Sequence, residues 1–379
     1  LTAGESHGPG LVTIVEGLPA GLAVSAQRLT TELARRRMGA GRGRRMALER
    51  DEMEIIGGVR FGRTLGGPVA LVVRNTEWPK WQDEMSAEPG VAKRPLTTPR
   101  PGHADLPGMQ KYDSHDARDI LERSSARETA ARTIAGTLAK LYLEEVDVTV
   151  LSHVIGIGST RVVDQELPGP DSLAAIDASA VRCLDADAEA VMLTEIAAAH
   201  EDRDTLGGVV EVVVHGLPAG VGSHVHWDRK LDGLLAAAVM SIPSVKGVEI
   251  GDAAAVSASP GSEAHDEIDY DGTQFTRATN RAGGLEGGMS NGEPLVIRAA
   301  MKPISTLMRA LRSVDVMTKE SAEAFRERSD VCAVPAGGVV AEQMVAFALA
   351  TEFSRMFGGD TVDEFRLRVG DYRARLARF

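Results

Sequence analysis

The sequence predicts a mixed α and β fold built as two related halves around one shared core, and three observations carry that reading. The pentapeptide Gly-Leu-Pro-Ala-Gly occurs at 17–21 and again at 216–220. Each copy follows a β-rich run, LVTIVE in the first and VVEVVVH in the second, and precedes a segment with a helical pattern. Thr-Leu-Gly-Gly likewise occurs at 64–67 and 205–208, each time leading into valine-rich strand sequence. Two repeats in matching strand contexts favour a pseudo-duplicated fold. No Pro/Ser linker or charged tether separates the halves, so residues 1–379 read as a single domain.

The elements follow in chain order. Strands are predicted near 11–16, 68–74, 147–152, 208–215 and 294–301 from β-branched runs bounded by turn residues. Ser25 is placed to cap a helix that runs through Leu29 and Leu33 into an arginine cluster and ends at Gly39. A long helix is predicted over 117–143, with Ala131, Ile134, Leu138 and Leu141 on one stripe. Further helices are predicted over 187–199, over 228–240 with Leu231, Leu234, Leu235 and Val239 buried, and over 339–357, stopping at Gly358. The stretch 78–108 is proline-rich, polar and long for a loop, a length typical of binding loops and lids. The glycine-dense stretch 283–292 (GGLEGGMSNG) is a second place where backbone could approach a ligand closely.

Composition narrows the function classes. The chain can bury a substantial core, being 43% hydrophobic over 379 residues, and its 40 glycines imply many tight turns. Aromatics are only 4%, which leaves few stacking platforms for single-stranded nucleic acid. Cys183 and Cys332 lack metal or redox spacing, so a reducing, cytoplasmic setting is expected. No signal peptide is legible, and the longest uncharged apolar run, 234–245, is too short to span a bilayer. The chain begins at Leu1 rather than methionine, from which a few preceding residues are expected, their lack shortening the first strand only.

Against a formal net charge of −12, six arginines (Arg35, Arg36, Arg37, Arg42, Arg44 and Arg45) fall within eleven residues. Arginine forks match carboxylate and phosphate, so several together suit a small polyanion in an acidic body that repels nucleic acid. The alternatives are a solvated basic loop or an RNA-binding Arg/Gly segment. His7 in GESHG and His103 in RPGHAD both sit in glycine-flanked turns, where a ring is accessible as an acid or serves merely as a turn residue. Arg123-Ser124-Ser125-Ala126-Arg127 places two arginines four apart and two hydroxyls nearby, either for phosphate or as a solvated helical face. Arg328-Ser329-Asp330 offers a carboxylate beside arginine, suited to a base or to a structural ion pair. His224-Val225-His226, with His215 and Asp228 nearby, reads as surface histidines, and no metal site is expected. No phosphate loop and no G-x-G-x-x-G after a strand is found, which argues against P-loop and Rossmann enzymes.

Taken together, the segments resemble the chorismate synthase family. The resemblance is carried by GESHGPGLVTIVEGLP at 4–19, ERSSARETAARTIAGTL at 122–138 and RSDVCAVPAGGVVAEQM at 328–344. RPGHAD at 100–105, VKGVEIGD at 245–252, NRAGGLEGGMSNG at 280–292 and MKPIST at 301–306 extend it in order over nearly the whole chain. It implies an α+β β-α-β sandwich, a helical layer between two antiparallel sheets with an internal pseudo-twofold repeat. It also implies a lyase of the shikimate pathway, feeding aromatic amino-acid biosynthesis. The reaction is anti-1,4-elimination of phosphate from 5-enolpyruvylshikimate 3-phosphate to give chorismate, with reduced FMN required and no net redox change.

The resemblance also implies residue roles. His7 would protonate the departing phosphate, His103 would stabilise the reduced flavin, and Asp330 would assist at the flavin N5. Ser6, Arg36, Arg42, Arg45, Ser125, Arg127 and Arg328 would hold the substrate. Arg123, Ser124, Ser125, Pro243, Ser244, Gly287, Lys302, Pro303, Ile304, Ser305, Thr306 and Arg328 would hold FMN. At 243–244 the family often has an amide residue and alanine, whereas this chain has Pro243, which lacks a backbone donor, and Ser244. Some members reduce their own flavin with NADPH, and nucleotide contacts are credited to the positions of Arg36 and Arg42. This sequence has no separate reductase domain, so an external flavin reductase is expected, with NADPH only as reductant. A homotetramer is implied; nucleic-acid and membrane partners are not.

Overall fold

The computed structural model describes residues 1–43, 51–163, 166–327 and 329–379. One antiparallel sheet holds Thr2–Ala3 (β1), Gly10–Val15 (β2), Glu52–Gly57 (β3) and Val69–Arg74 (β4), in the order β1-β2-β4-β3. Its register puts Leu11 opposite Val73, Thr13 opposite Leu71 and Val15 opposite Val69. All six are buried, which is the period of two that a one-sided sheet requires. A second antiparallel sheet holds Thr149–Ile157 (β5), Thr160–Arg161 (β6), Gly208–His215 (β7), Val245–Ile250 (β8) and Leu295–Met301 (β9), in the order β8-β9-β7-β5-β6. Its middle strands are covered on both faces. Val150, Val212 and Val214 join the main core, while Leu151 and Val213 pack with Ile176 on the opposite side.

The principal helices are Ala26–Arg37 (α1), Asp105–Tyr112 (α2), Arg118–Ser124 (α3), Thr129–Glu144 (α4), Ala186–Glu201 (α5), Leu231–Met240 (α6), Val334–Phe357 (α7) and Val362–Leu376 (α8). α4 packs against β2 and α1 on one side and against α7 on the other, and α7 in turn packs on β5, β7 and α6. Among the described residues α7 is the one helix long and apolar enough to cross a membrane, and most of it is buried inside the protein.

Several sequence expectations are corrected. The single helix over 117–143 is broken, because Ser125 is extended (φ −69°, ψ 143°) and its hydroxyl accepts from the Arg127 amide. A short 3-10 turn over Ala126–Glu128 then leads into α4. Serine competes for backbone hydrogen bonds, and here that competition wins. α7 starts five residues earlier than expected, with Pro335 in its first turn, where a missing amide donor is harmless. His224 and His226 are exposed, as surface histidines, and the helix expected from 228 begins at Leu231 after the short turn Trp227–Arg229. β3, β8, α2 and α8 were not foreseen. α8 buries only Val362, Phe365 and Val369 of fifteen residues, so its apolar signal is thin, although Thr361 and Glu364 form a legible cap.

The repeats also differ in context. Both Gly-Leu-Pro-Ala-Gly copies share left-handed glycines, with φ of 88° at Gly17 and 82° at Gly216. In the second half, however, both repeated peptides flank the same strand, β7, whereas in the first half they flank β2 and β4. The local turn chemistry recurs, but the strand assignment does not.

The seam between α4 and α7 is unusually close. A Cβ on Gly136 would lie 2.3 Å from the Cβ of Gln343 and 2.5 Å from its carbonyl oxygen. Beside it lies a buried ion network of three cations, Arg35, Lys140 and Arg182, and three carboxylates, Glu32, Asp177 and Glu342. Glu342 accepts both arms of the Arg35 fork (2.7 and 3.0 Å), the Lys140 ammonium (2.5 Å) and the Ser152 hydroxyl (2.9 Å). Burial would raise the pKa of Glu342, but Lys140, Arg35 and Arg182 outweigh it and hold the carboxyl well below the usual range.

Glu342→Ala is therefore expected to cost about 3–5 kcal/mol, since it strands buried cations. Gly136→Ala, which in an ordinary helix interior would stabilise by about 0.5–1 kcal/mol, is expected here to destabilise by about 2 kcal/mol or more, because a backbone atom is in the way. Urea unfolding midpoints check both, and a stabilised Gly136→Ala would contradict the close approach.

Candidate functional site

The site begins at the turn between β1 and β2, which pins His7 in place. Its side chain is buried, and one carboxylate holds it twice: the His7 amide donates to Glu122 Oε2 and the ring Nδ1 meets Glu122 Oε1, both at 2.8 Å. Arg118, one turn earlier on α3, donates to the same carboxylate at 3.1 Å. Trp81, from the long 78–104 stretch, packs against the His7 ring at 4.1 Å and under the Arg118 guanidinium at 4.8 Å. Burial raises the pKa of Glu122, but hydrogen bonds from the His7 ring and amide and the charge of Arg118 bring it below the ordinary value. An ionised carboxylate only accepts, so Nδ1 carries a proton and donates it to Glu122.

The arginines converge beside this histidine. α1 ends with Arg36 and Arg37, whose guanidiniums lie 3.7 and 3.4 Å from Asp51 Oδ2. Arg127, set by the Ser125 break, donates to Asp51 Oδ1 at 2.5 Å and to the Asn75 side-chain oxygen at 3.0 Å. Arg36 also reaches Thr129 Oγ1 at 3.4 Å. Ser125 donates to Ser6 at 3.2 Å, which brings that hydroxyl pair next to His7. Arg35, Arg36 and Arg127 are all buried, which is unlike a solvated basic arm.

A second group forms around His103. Its Nδ1 meets Asp105 Oδ1 at 2.5 Å, and Asp105 also takes the Arg100 Nε at 2.8 Å. Arg100 donates to Thr306 Oγ1 at 2.8 Å, and Gly102 accepts the Lys302 ammonium at 2.9 Å. Glu327 joins the two groups, lying 3.7 Å from both Arg100 and Arg118. The histidines thus sit at the two ends of one charged chain: His7, Glu122, Arg118, Glu327, Arg100, Asp105, His103.

The remaining expected residues divide. Asp330 accepts from Arg42 and from the Gly43 amide, both at 2.6 Å, so these two expected residues meet each other. Lys302 donates its amide to the Ser244 carbonyl at 2.9 Å, and Ser244 follows Pro243 with a left-handed φ of 72°. Ile304 accepts from Thr205, while Pro303 and Ser305 lie in the same segment beside Gly102. Arg123 is exposed and donates to the Gly4 carbonyl, and Ser124 is spent on the Ile120 carbonyl. Gly287 lies in the turn joining Leu285–Glu286 to Met289–Ser290, where a Cβ on it would meet open space while its neighbour Gly288 packs on Lys230 and Ser223. Arg45 and Arg328 lie outside the described residues.

Sequence reading missed Trp81, Asp51, Asn75, Glu122, Arg118 and Glu327. Glu122, Arg100 and Asp105 lay inside the motifs already singled out, whereas Asp51 and Asn75 carry no local signal at all. A cofactor phosphate would find a fitting donor in Lys302. Its ammonium is half-buried, meets no carboxylate among the described residues, and has its pKa lowered by burial and by nearby Lys246, so an anion there would be welcome.

Comparison with known proteins gives this constellation a lineage. A family model described as Chorismate synthase matches residues 1–353. The chain belongs to the chorismate synthase family. Relatives named Chorismate synthase from Acidothermus cellulolyticus and Streptomyces coelicolor are 57% and 55% identical over 381 residues, covering 98% of this chain and 97% of each relative. A solved structure described as "Crystal Structure of Chorismate Synthase" is similar with a TM-score of 0.80 at 38% identity, covering 100% of this chain and 98% of that one. Membership makes the protein an enzyme acting on a small molecule, and the family implies a flavin cofactor.

Asp105 gives a pH test of the second group. Burial raises its pKa, but His103 and Arg100 overcome that and bring the carboxyl from 3.8 down to about 2. A carboxyl with a depressed folded value stabilises fully above its unfolded value and loses that contribution as pH falls through the folded one. The melting-temperature deficit of Asp105→Asn is therefore expected to be full above about pH 5 and to shrink as pH falls from about 4 towards 2. Thermal melts across that range check it, and a deficit that stays constant would mean the charge of Asp105 plays no part.

Proposed function

We propose that the protein converts 5-enolpyruvylshikimate 3-phosphate to chorismate by anti-1,4-elimination of phosphate, as a carbon–oxygen lyase of the shikimate pathway that requires reduced FMN with no net redox change. The observation that carries this reading is the pairing of two carboxylate-oriented histidines with a buried arginine cluster, in a chain of this family. Arg36, Arg127 and Arg42, with Arg45 and Arg328, bind the substrate's phosphate and carboxylates, and Ser6 and Ser125 add hydroxyl donors. His7 delivers a proton from Nε2 to the departing phosphate, because Glu122 keeps Nδ1 engaged. Trp81 covers the His7 ring and limits water at that point.

Lys302 would offer FMN a cationic donor for its phosphate, with Arg123, Ser124, Ser125, Pro243, Ser244, Gly287, Pro303, Ile304, Ser305, Thr306 and Arg328 as further contacts. Bound in its reduced form, FMN supplies the electron density that eases phosphate departure and the acceptor for the C6 hydrogen. His103, held by Asp105, presents Nε2 to that cofactor, and Asp330, held by Arg42, serves as the neighbouring base. NADPH enters only as a reductant, delivered through an external flavin reductase.

The same reading makes residues 1–379 one domain: a helical layer of α1, α4 and α7 between the two sheets, related by a pseudo-twofold repeat. It is supported by α4 packing on β2 and α7 on β5 and β7. A cytoplasmic homotetramer, with no nucleic-acid or membrane partner, completes the proposal.

Anaerobic assay of phosphate release and chorismate absorbance tests it. Turnover is expected with reduced but not oxidised FMN. His7→Ala is expected to lower kcat by about 10²-fold or more, and Arg127→Ala chiefly to raise KM. Absence of turnover together with absence of FMN or substrate binding would refute the assignment.

A further inference from the structure

The arginine cluster is built around a carboxylate that the proposed reaction does not use. We propose that Asp51 is the resident counter-ion of this anion site, competing with phosphate for Arg36, Arg37 and Arg127 and thereby setting how tightly phosphate is held. The proposal rests on the reading of the cluster as the substrate's anion site.

Its geometry is that of an occupant that fits loosely. The Asp51 side chain is 1% exposed, yet one oxygen contacts Arg127 at 2.5 Å while the other stands 3.7 Å from Arg36 and 3.4 Å from Arg37. That second oxygen, Oδ2, is buried with no hydrogen-bond partner among the described residues. A buried acceptor left without a hydrogen bond is costly, so what keeps Asp51 here is attraction to the three guanidiniums. A carboxylate that fits its arginine well takes two parallel hydrogen bonds from one fork; Asp51 instead is shared among three arginines without a bidentate pair. Neutral acceptors do part of the orienting: Asn75 takes the Arg127 Nε and Thr129 faces an Arg36 arm. These two acceptors are indifferent to the charge of a ligand, whereas Asp51 opposes any anion that approaches.

The functional consequence concerns release. Three arginines gathered in a buried site would hold a phosphate ion tightly, and phosphate is the product that must leave. A carboxylate already seated among them weakens that hold and re-engages the arginines as phosphate departs. Burial makes the opposition strong, since charges at such distances interact far more than in water.

The test titrates inorganic phosphate against the whole protein at constant ionic strength, following melting temperature and phosphate affinity. Asp51→Asn is expected to melt lower than wild type without phosphate, to gain more from it, and to bind it about tenfold more tightly. Asp51→Glu, which keeps the charge, is expected to titrate like wild type. A merely structural role would loosen the arginines and weaken phosphate binding, so equal or weaker binding by Asp51→Asn overturns the proposal. Recovery of folded Asp51→Asn only in the presence of phosphate would support it, whereas a variant unfolded with and without phosphate would overturn it. Arg127→Ala separates the two readings: it is expected to lose most of the phosphate response. If it responds as wild type does, the anion-site reading itself fails, and this inference with it.

Discussion

The placement of the arginine-bearing helix depends on one buried seam, where α4 and α7 approach closely enough that Gly136 must lack a side chain. Helices this close leave little room for large apolar groups, and the space beside them is filled by Arg35, Lys140 and Arg182 set against Glu32, Asp177 and Glu342. Ions taken out of water are tolerable only when each is met by partners in good geometry, so this network fixes the relative placement of α1, α4, α7 and β5.

That constraint reaches the functional site through adjacent residues. Arg35 and Arg36 are neighbours on the last turn of α1, and successive helix positions diverge by about 100°. With Arg35 locked onto Glu342, Arg36 is turned towards Asp51 and Thr129. The same helix α4 that carries Lys140 begins at Thr129, just after the break that aims Arg127. Arg36 and Arg127 are thus positioned by the core helices that carry or precede them. The site's histidines are treated alike in one respect: each has Nδ1 engaged by a carboxylate.

Individual residues show how far the sequence could be read. His7, Ser6, Arg36, Arg127 and Ser125 were singled out from short motifs, and the fold brings them into one neighbourhood. His103, Thr306 and Lys302 gather in another, joined to the first through Glu327. The partners of these groups were harder to see. Asp51 and Asn75 look like ordinary polar residues, and only the sheet places them beside α1 and the start of α4. The break at Ser125 was hidden because a helical pattern continues on both sides of it. Gly287 stood in a suggestive glycine-rich run, yet its turn packs beside Lys230 and Ser223.

By itself the sequence determined the kind of protein this is: its family, the strand and helix periodicities of its core, its capped helix starts, and the residue types able to handle a phosphate and a proton. Those properties are local or depend on composition, so they are written in neighbouring residues. Only the tertiary structure decided which carboxylate meets which arginine or histidine, because those pairs join residues far apart in the chain, such as His7 with Glu122 and Arg35 with Glu342. Electrostatic pairing depends on distance in space and on removal from water, and neither quantity exists until the chain has folded.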